Sequence, residues 1–92
     1  MKPQIIIFST PTCRACKPYI AQVATAIKEA ELEDDVVIQV VTPTDGNSHG
    51  VAVGSVPTTI IKYGDKIVAE FVGVTASSKI IDEIETILYV ES

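Results

Sequence analysis

Cys13 and Cys16 are the only cysteines of this 92-residue chain and stand as a C-x-x-C pair. Three readings are open for such a pair. A structural staple normally closes a longer loop to constrain the unfolded chain, and a two-residue loop constrains little. A zinc centre needs four ligands, and beside these two thiols the chain offers one imidazole, His49. A dithiol that cycles between reduced and disulfide forms needs only the pair itself, and this reading is favoured over a metal site or an idle pair. Bonds of that kind are transient in a reducing cytosol, so a cytoplasmic location is expected.

The attacking species in thiol–disulfide exchange is the thiolate, and an ordinary thiol, with a pKa of about 8.5, is only a few percent ionised at neutral pH. One sulfur therefore has to be placed where negative charge is favoured. Gln4-Ile5-Ile6-Ile7-Phe8-Ser9 is apolar and β-branched and predicts a strand buried on both faces. Thr10-Pro11-Thr12 breaks it. From Arg14 to about Ala30, Ile20, Val23, Ala24 and Ile27 recur at helical spacing. A thiol at the start of that helix meets unpaired backbone N–H groups and the positive end of the dipole. Pro18 requires the regular helix to begin near Lys17 or to bend beyond Cys16. Thr12 is the expected cap.

Five acids among residues 29–35 end the helix in a solvated turn. Val36-Val37-Ile38-Gln39-Val40-Val41 predicts a second buried strand, parallel to the first in a βαβ unit. Thr42 to Ser55 is irregular, with a weak helical signal near Ser48 to Val53. Thr58–Tyr63 and Lys66–Val72 flank Gly64-Asp65 and predict an antiparallel hairpin. Ile80, Ile81, Ile84, Ile87 and Leu88 predict a last helix, capped by Thr75, Ser77 or Ser78. The result is an α/β fold, β-α-β-loop-β-β-α, a four-stranded mixed sheet with helices on both faces in a single domain over residues 1–92.

Composition narrows the function. Hydrophobic residues make up 47% and charged residues 21%, the balance of an ordinary globular protein. Apolar runs such as Ile5–Phe8 and Val36–Ile38 are far too short to cross a bilayer, and no secretory segment is expected. Net charge is −5, yet residues 1–28 carry Lys2, Arg14, Lys17 and Lys28 and no acid. An acidic whole argues against nucleic acid as partner, and the local positive charge surrounds the cysteines.

Three landmarks together resemble the thioredoxin/glutaredoxin superfamily over nearly the whole length: Ser9-Thr10-Pro11-Thr12-Cys13-Arg14-Ala15-Cys16-Lys17, then Val56-Pro57-Thr58, then Phe71-Val72-Gly73-Val74. The resemblance implies a thioredoxin-like fold and a thiol–disulfide oxidoreductase that reduces protein disulfides. It implies Cys13 as nucleophile and Cys16 as resolving thiol, with no cofactor beyond their redox-active disulfide and no metal. It also implies a cis Val56–Pro57 bond beside the dithiol, and Val56, Pro57, Thr12, Arg14 and Gly73 around the substrate, Gly73 chiefly by permitting close packing.

The sequence departs from the family pattern at several points. Thioredoxins usually carry Trp before the first cysteine, Gly-Pro between the two, and a buried acid six residues ahead. Thr12, Arg14-Ala15 and Ile7 stand there instead. Glutaredoxins commonly have Pro-Tyr between the cysteines and a Gly-Cys-Asp-like turn, where this chain has Gly73-Val74-Thr75. The expected partners are protein disulfides and a thioredoxin reductase-like enzyme or glutathione for recycling, with no membrane and a monomeric state. A glutathione-dependent donor, as to ribonucleotide reductase, and a non-enzymatic interaction module are the alternatives.

Overall fold

The β-branched run Gln4–Phe8 forms β1 of the computed structural model, which describes residues 2–43 and 53–91. β1 pairs in parallel with β2 (Val37–Val41) on one side and antiparallel with β3 (Thr58–Tyr63) on the other. β3 continues through the hairpin into β4 (Lys66–Val72), giving one mixed sheet in the order β2-β1-β3-β4. Gly64 turns the hairpin with φ +65°, the left-handed region that glycine enters without a Cβ clash. α1 (Cys16–Glu29) follows β1, and α2 (Ser77–Glu91) closes the chain.

Ile5 to Phe8 have no exposed surface, as expected of a central strand clothed on both faces. Alternation along β1 divides the core in two. Ile5 and Ile7 meet Tyr19, Val23 and Ile27 of α1 and Ile80, Ile84 and Ile87 of α2. Ile6 and Phe8 turn the other way to Ile60, with Val41, Val53 and Val56 packed against them. Each isoleucine buried in this way contributes about 1.5–3 kcal/mol. Both helices of the described residues thus lie on the Ile5/Ile7 face. The crossing, with the weak helical signal near Ser48 to Val53 and with His49, falls largely outside the described residues.

Two expectations need correction, but not the start of α1: the helix begins at Cys16, next to the Lys17 expected from Pro18, and Pro18 lies in the first turn, where its missing N–H costs no intrahelical bond. Its buried face is Cys16, Tyr19, Val23 and Ile27, so Ala24 is exposed and Ile20 only half-buried. β2 is a sheet edge instead of a buried strand, with Val37 46% and Val40 47% exposed. An unbroken apolar run looks the same whether topology puts it at the centre or the rim.

The acidic turn ends α1 by a specific device. Leu32 donates its N–H to Ile27 O (3.0 Å) and Glu31 donates to Lys28 O (3.0 Å), with Glu31 at φ +59°. This is the Schellman arrangement, with Glu31 in the left-handed position that glycine usually takes. Leu32 then packs onto the core.

A buried tie fixes α1 to the sheet. Tyr19 Oη and Thr59 Oγ1 are 2.7 Å apart, and both residues are buried. Tyr19→Phe strands the Thr59 hydroxyl and is expected to cost about 1–2 kcal/mol in urea unfolding. Adding Thr59→Val should restore part of that loss. A single variant as stable as the parent would show that the tie contributes nothing.

Candidate active site

Phe8, the last residue of β1, lies between Val41 and Thr58 in the sheet. The segment from Phe8 to Cys13 therefore leaves the sheet beside the first residue of β3, one position after Pro57. Thr58 also pairs with Val72, so Gly73 arrives at the same end. Parallel and antiparallel register, and nothing local to the motifs, bring the three landmarks together.

The loop into α1 is a pair of successive turns. Cys13 N–H donates to Thr10 O (3.1 Å), Cys16 N–H to Cys13 O (3.4 Å), and Tyr19 N–H opens the helix ladder on Ala15 O (3.2 Å). Ala15 is the N-cap, and no side chain caps the helix. The expected cap by Thr12 is thus absent: its Oγ1 sits 3.4 Å from Thr10 Oγ1 and steadies the loop instead. The helix N-terminus keeps its first N–H groups free of a side-chain acceptor, next to the dithiol.

Cys13 and Cys16 form a disulfide with Cα atoms 5.4 Å apart. The two sulfurs are unequal. Cys16 is wholly buried as the first core residue of α1, whereas Cys13 is half-buried in the loop. Arg14, Ala15 and Lys17 are exposed around them. Among the described residues, no three of His, Cys, Asp or Glu converge to hold a metal ion.

The Val56–Pro57 bond is cis, and Pro57 is buried. Thr58 Oγ1 donates to Ser55 O (2.6 Å), and Gly73 N–H donates to Pro57 O (2.8 Å), so the loop is held from both ends. Val56 N–H and C=O have no partner among the described residues. Thr10, Pro43, Val53, Gly54, Ser55 and Val56 line a cleft of about 220 Å³ between this loop and the one leading to Cys13. Ser55 lies outside the three landmarks, and only the fold shows it at the site.

Gly73 was expected to permit close packing, but a Cβ there would meet nothing within 4 Å. Its φ of +84° is what calls for glycine, because that backbone turn aims its N–H at Pro57. Thr75, an expected cap of α2, donates its hydroxyl to Gly73 O (3.1 Å) instead. Ile7 has no exposed surface and packs with Tyr19 and Val23. Thr58 and Thr59 are the only polar residues buried among the described ones, so no carboxylate lies beneath the dithiol there.

No protein-family model matches the sequence, and no curated protein matches it. Solved structures do. Thioredoxin 1 from Thermosipho africanus superposes with a TM-score of 0.71 at 24% identity, over 96% of this chain and 97% of that one. Thioredoxin O2 from Arabidopsis thaliana, in its oxidised state, gives 0.68 at 25% identity, over 92% and 74%. The germline-specific thioredoxin Deadhead from Drosophila melanogaster gives 0.72 at 17%, over 92% and 80%. The mixed four-stranded sheet with its two helices is the one these proteins share, and the Cys13–Cys16 pair at its strand-to-helix junction supports thiol–disulfide exchange in general. The chain has the thioredoxin fold.

Proposed function

We propose that this chain reduces protein disulfides, with Cys13 as the nucleophile and Cys16 as the resolving thiol. The observation that carries the assignment is the inequality of the pair: one sulfur half-open in a loop, the other closed off in the first turn of α1. In the reduced protein the Cys13 thiolate attacks one sulfur of a substrate disulfide and expels the other as thiolate, leaving a mixed disulfide. Cys16, deprotonated, then attacks Cys13 Sγ and expels the second substrate sulfur. Two electrons pass to the substrate, and the chain is left with the Cys13–Cys16 disulfide.

The open backbone groups of Val56 fit an extended substrate segment that pairs there as an added strand. Arg14 and Thr12, exposed on either side of Cys13 in the chain, are assigned to the substrate on the family resemblance, and Gly73 holds the Pro57 loop through its N–H on Pro57 O. A reductant must return the disulfide to the dithiol. A flavin-dependent reductase of the thioredoxin reductase type is proposed ahead of glutathione, since Gly73-Val74-Thr75 lacks the glutathione-binding turn. The setting is a reducing compartment, the cytoplasm.

Trapping tests the order of attack. Cys16→Ser, incubated with a disulfide-bonded protein, should accumulate a mixed disulfide through Cys13 that survives non-reducing electrophoresis. Cys13→Ser should accumulate none. Adducts through Cys16 would reverse the roles.

A further inference from the structure

The two edges of the sheet are built differently. β4 carries Lys66 and Glu70, and its pairing with β3 slips between Ile61 and Lys62. Charges and irregularities of this kind discourage a further strand from adding. β2, at the other edge, has none of them: Val36 to Pro43 contains no charge, and β2 itself has no proline and an unbroken register. Val37 and Val40 stand nearly half-exposed along it.

The hydrogen bonds to β1 fix which backbone groups remain open. Val37 donates its N–H to Pro3 O (3.0 Å), and Val41 O accepts from Ser9 N–H (2.9 Å). In a parallel pair, alternate residues turn both N–H and C=O to the same neighbour. Val37, Gln39 and Val41 therefore face β1, and Ile38 and Val40 present their N–H and C=O outward. Two such edges match each other. Run antiparallel about a two-fold axis at Gln39, Ile38 and Val40 of one copy exchange bonds with Val40 and Ile38 of the other. Val37 comes opposite Val41, Gln39 opposite Gln39, and no like charges face each other in the paired stretch.

We propose that β2 is a self-association edge, pairing antiparallel with β2 of a second copy of this chain to make an eight-stranded sheet. This departs from the monomer expected of the sequence. The association is closed, because each copy has one such edge and an isologous contact consumes it. The two dithiols lie toward opposite ends of the joined sheets, since each sits past the C-terminal end of its own β1. Association therefore leaves both open, and the proposal stands or falls independently of the redox assignment.

A single strand pair is small for a protein interface, which places the dissociation constant at about 10 μM to 1 mM. Sedimentation velocity across that range should show the wild-type protein shifting from monomer to dimer and no further. Val40→Lys puts a charge against Ile38 of the second copy and should weaken the dimer at least about tenfold; Val37→Lys is the substitute if that variant does not fold. For a positional readout, Gln39→Cys in a Cys13→Ser/Cys16→Ser background should cross-link on mild oxidation, because antiparallel partners without mutual hydrogen bonds bring their Cβ atoms close. Ile67→Cys on β4, in the same background, should not. A monomer throughout, assembly beyond the dimer, a dimer indifferent to both lysine variants, or equal cross-linking at the two edges would each overturn the proposal. Insulin reduction by Val40→Lys should match wild type.

Discussion

Cys13→Ser is expected to lower insulin reduction by at least about a thousandfold, to the background of the assay. A serine hydroxyl is not ionised at neutral pH and does not attack sulfur, so the first step has no nucleophile. The remaining thiol cannot stand in for it, because Cys16 is wholly buried under the first turn of α1. Cys16→Ser should also fail to turn over, but for a different reason: its first attack proceeds and the mixed disulfide then stays. The pair therefore shares one steady-state phenotype and separates in single-turnover experiments, where only Cys16→Ser releases the first substrate thiol. Folding is not at issue, since a disulfide closing so short a loop adds little stability. Circular dichroism of both variants should match the reduced parent. Retention of more than about a tenth of the activity by Cys13→Ser would remove this thiol from the reaction. A wild-type protein inactive with both a thioredoxin reductase and glutathione would favour the interaction module.

Much of this was legible in the residues because local rules and tertiary context agree at those places. Ile5–Phe8 is apolar at every position, and a strand clothed on both faces is where such a run is satisfied. The Gly64-Asp65 hairpin and the isoleucine spacing of α2 followed from turn chemistry and period. The cis bond before Pro57 came from the family resemblance, since no local rule selects that isomer. What stayed hidden depends on partners distant in sequence. Val36–Val41 is as apolar as β1, and only the strand order makes it an edge. Thr12 is a good cap by type, but the loop turns its hydroxyl to Thr10. Tyr19 can bury its hydroxyl in the core only because Thr59, forty positions away, shares a hydrogen bond with it, a partner that no local pattern reveals. Gly73 was recognised at the site for the wrong reason: its conformation, and no lack of room, calls for glycine.

Ile7 is where this chain departs most from the family it resembles, and restoring the missing acid has a calculable consequence. Ile7 has no exposed surface and lies among Tyr19, Val23 and Ile61, with no buried carboxylate or cation near it among the described residues. Ile7→Ala should cost about 2–5 kcal/mol through lost burial and the cavity left behind. Ile7→Asp adds the burial of a carboxyl, which is tolerated only in its neutral form and so titrates well above the ordinary aspartate range. The folded variant then binds more protons than the unfolded one, and stability falls as pH rises from the unfolded value, about 3.9, toward the folded one, by at most about 1.4 kcal/mol per pH unit. Urea unfolding at pH 5 and pH 8 should therefore separate the two substitutions. The alanine variant keeps a constant deficit, while the aspartate variant loses further stability at the higher pH. Against a total of about 5–15 kcal/mol, the aspartate variant is close to unfolding at pH 8. The resemblance implies a compensating gain, since an acid beneath the dithiol assists deprotonation of the resolving cysteine. A neutral carboxyl takes up no proton, so a mixed disulfide formed on Cys13 should resolve no faster than in the parent at pH 5 and increasingly faster as the carboxyl ionises, over the pH range in which the variant stays folded. If the deficit does not change with pH, solvent reaches the carboxyl and the site beneath the dithiol is wet. If the deficit grows but resolution is no faster at any pH, the chain's own geometry already deprotonates Cys16 without an acid at this position.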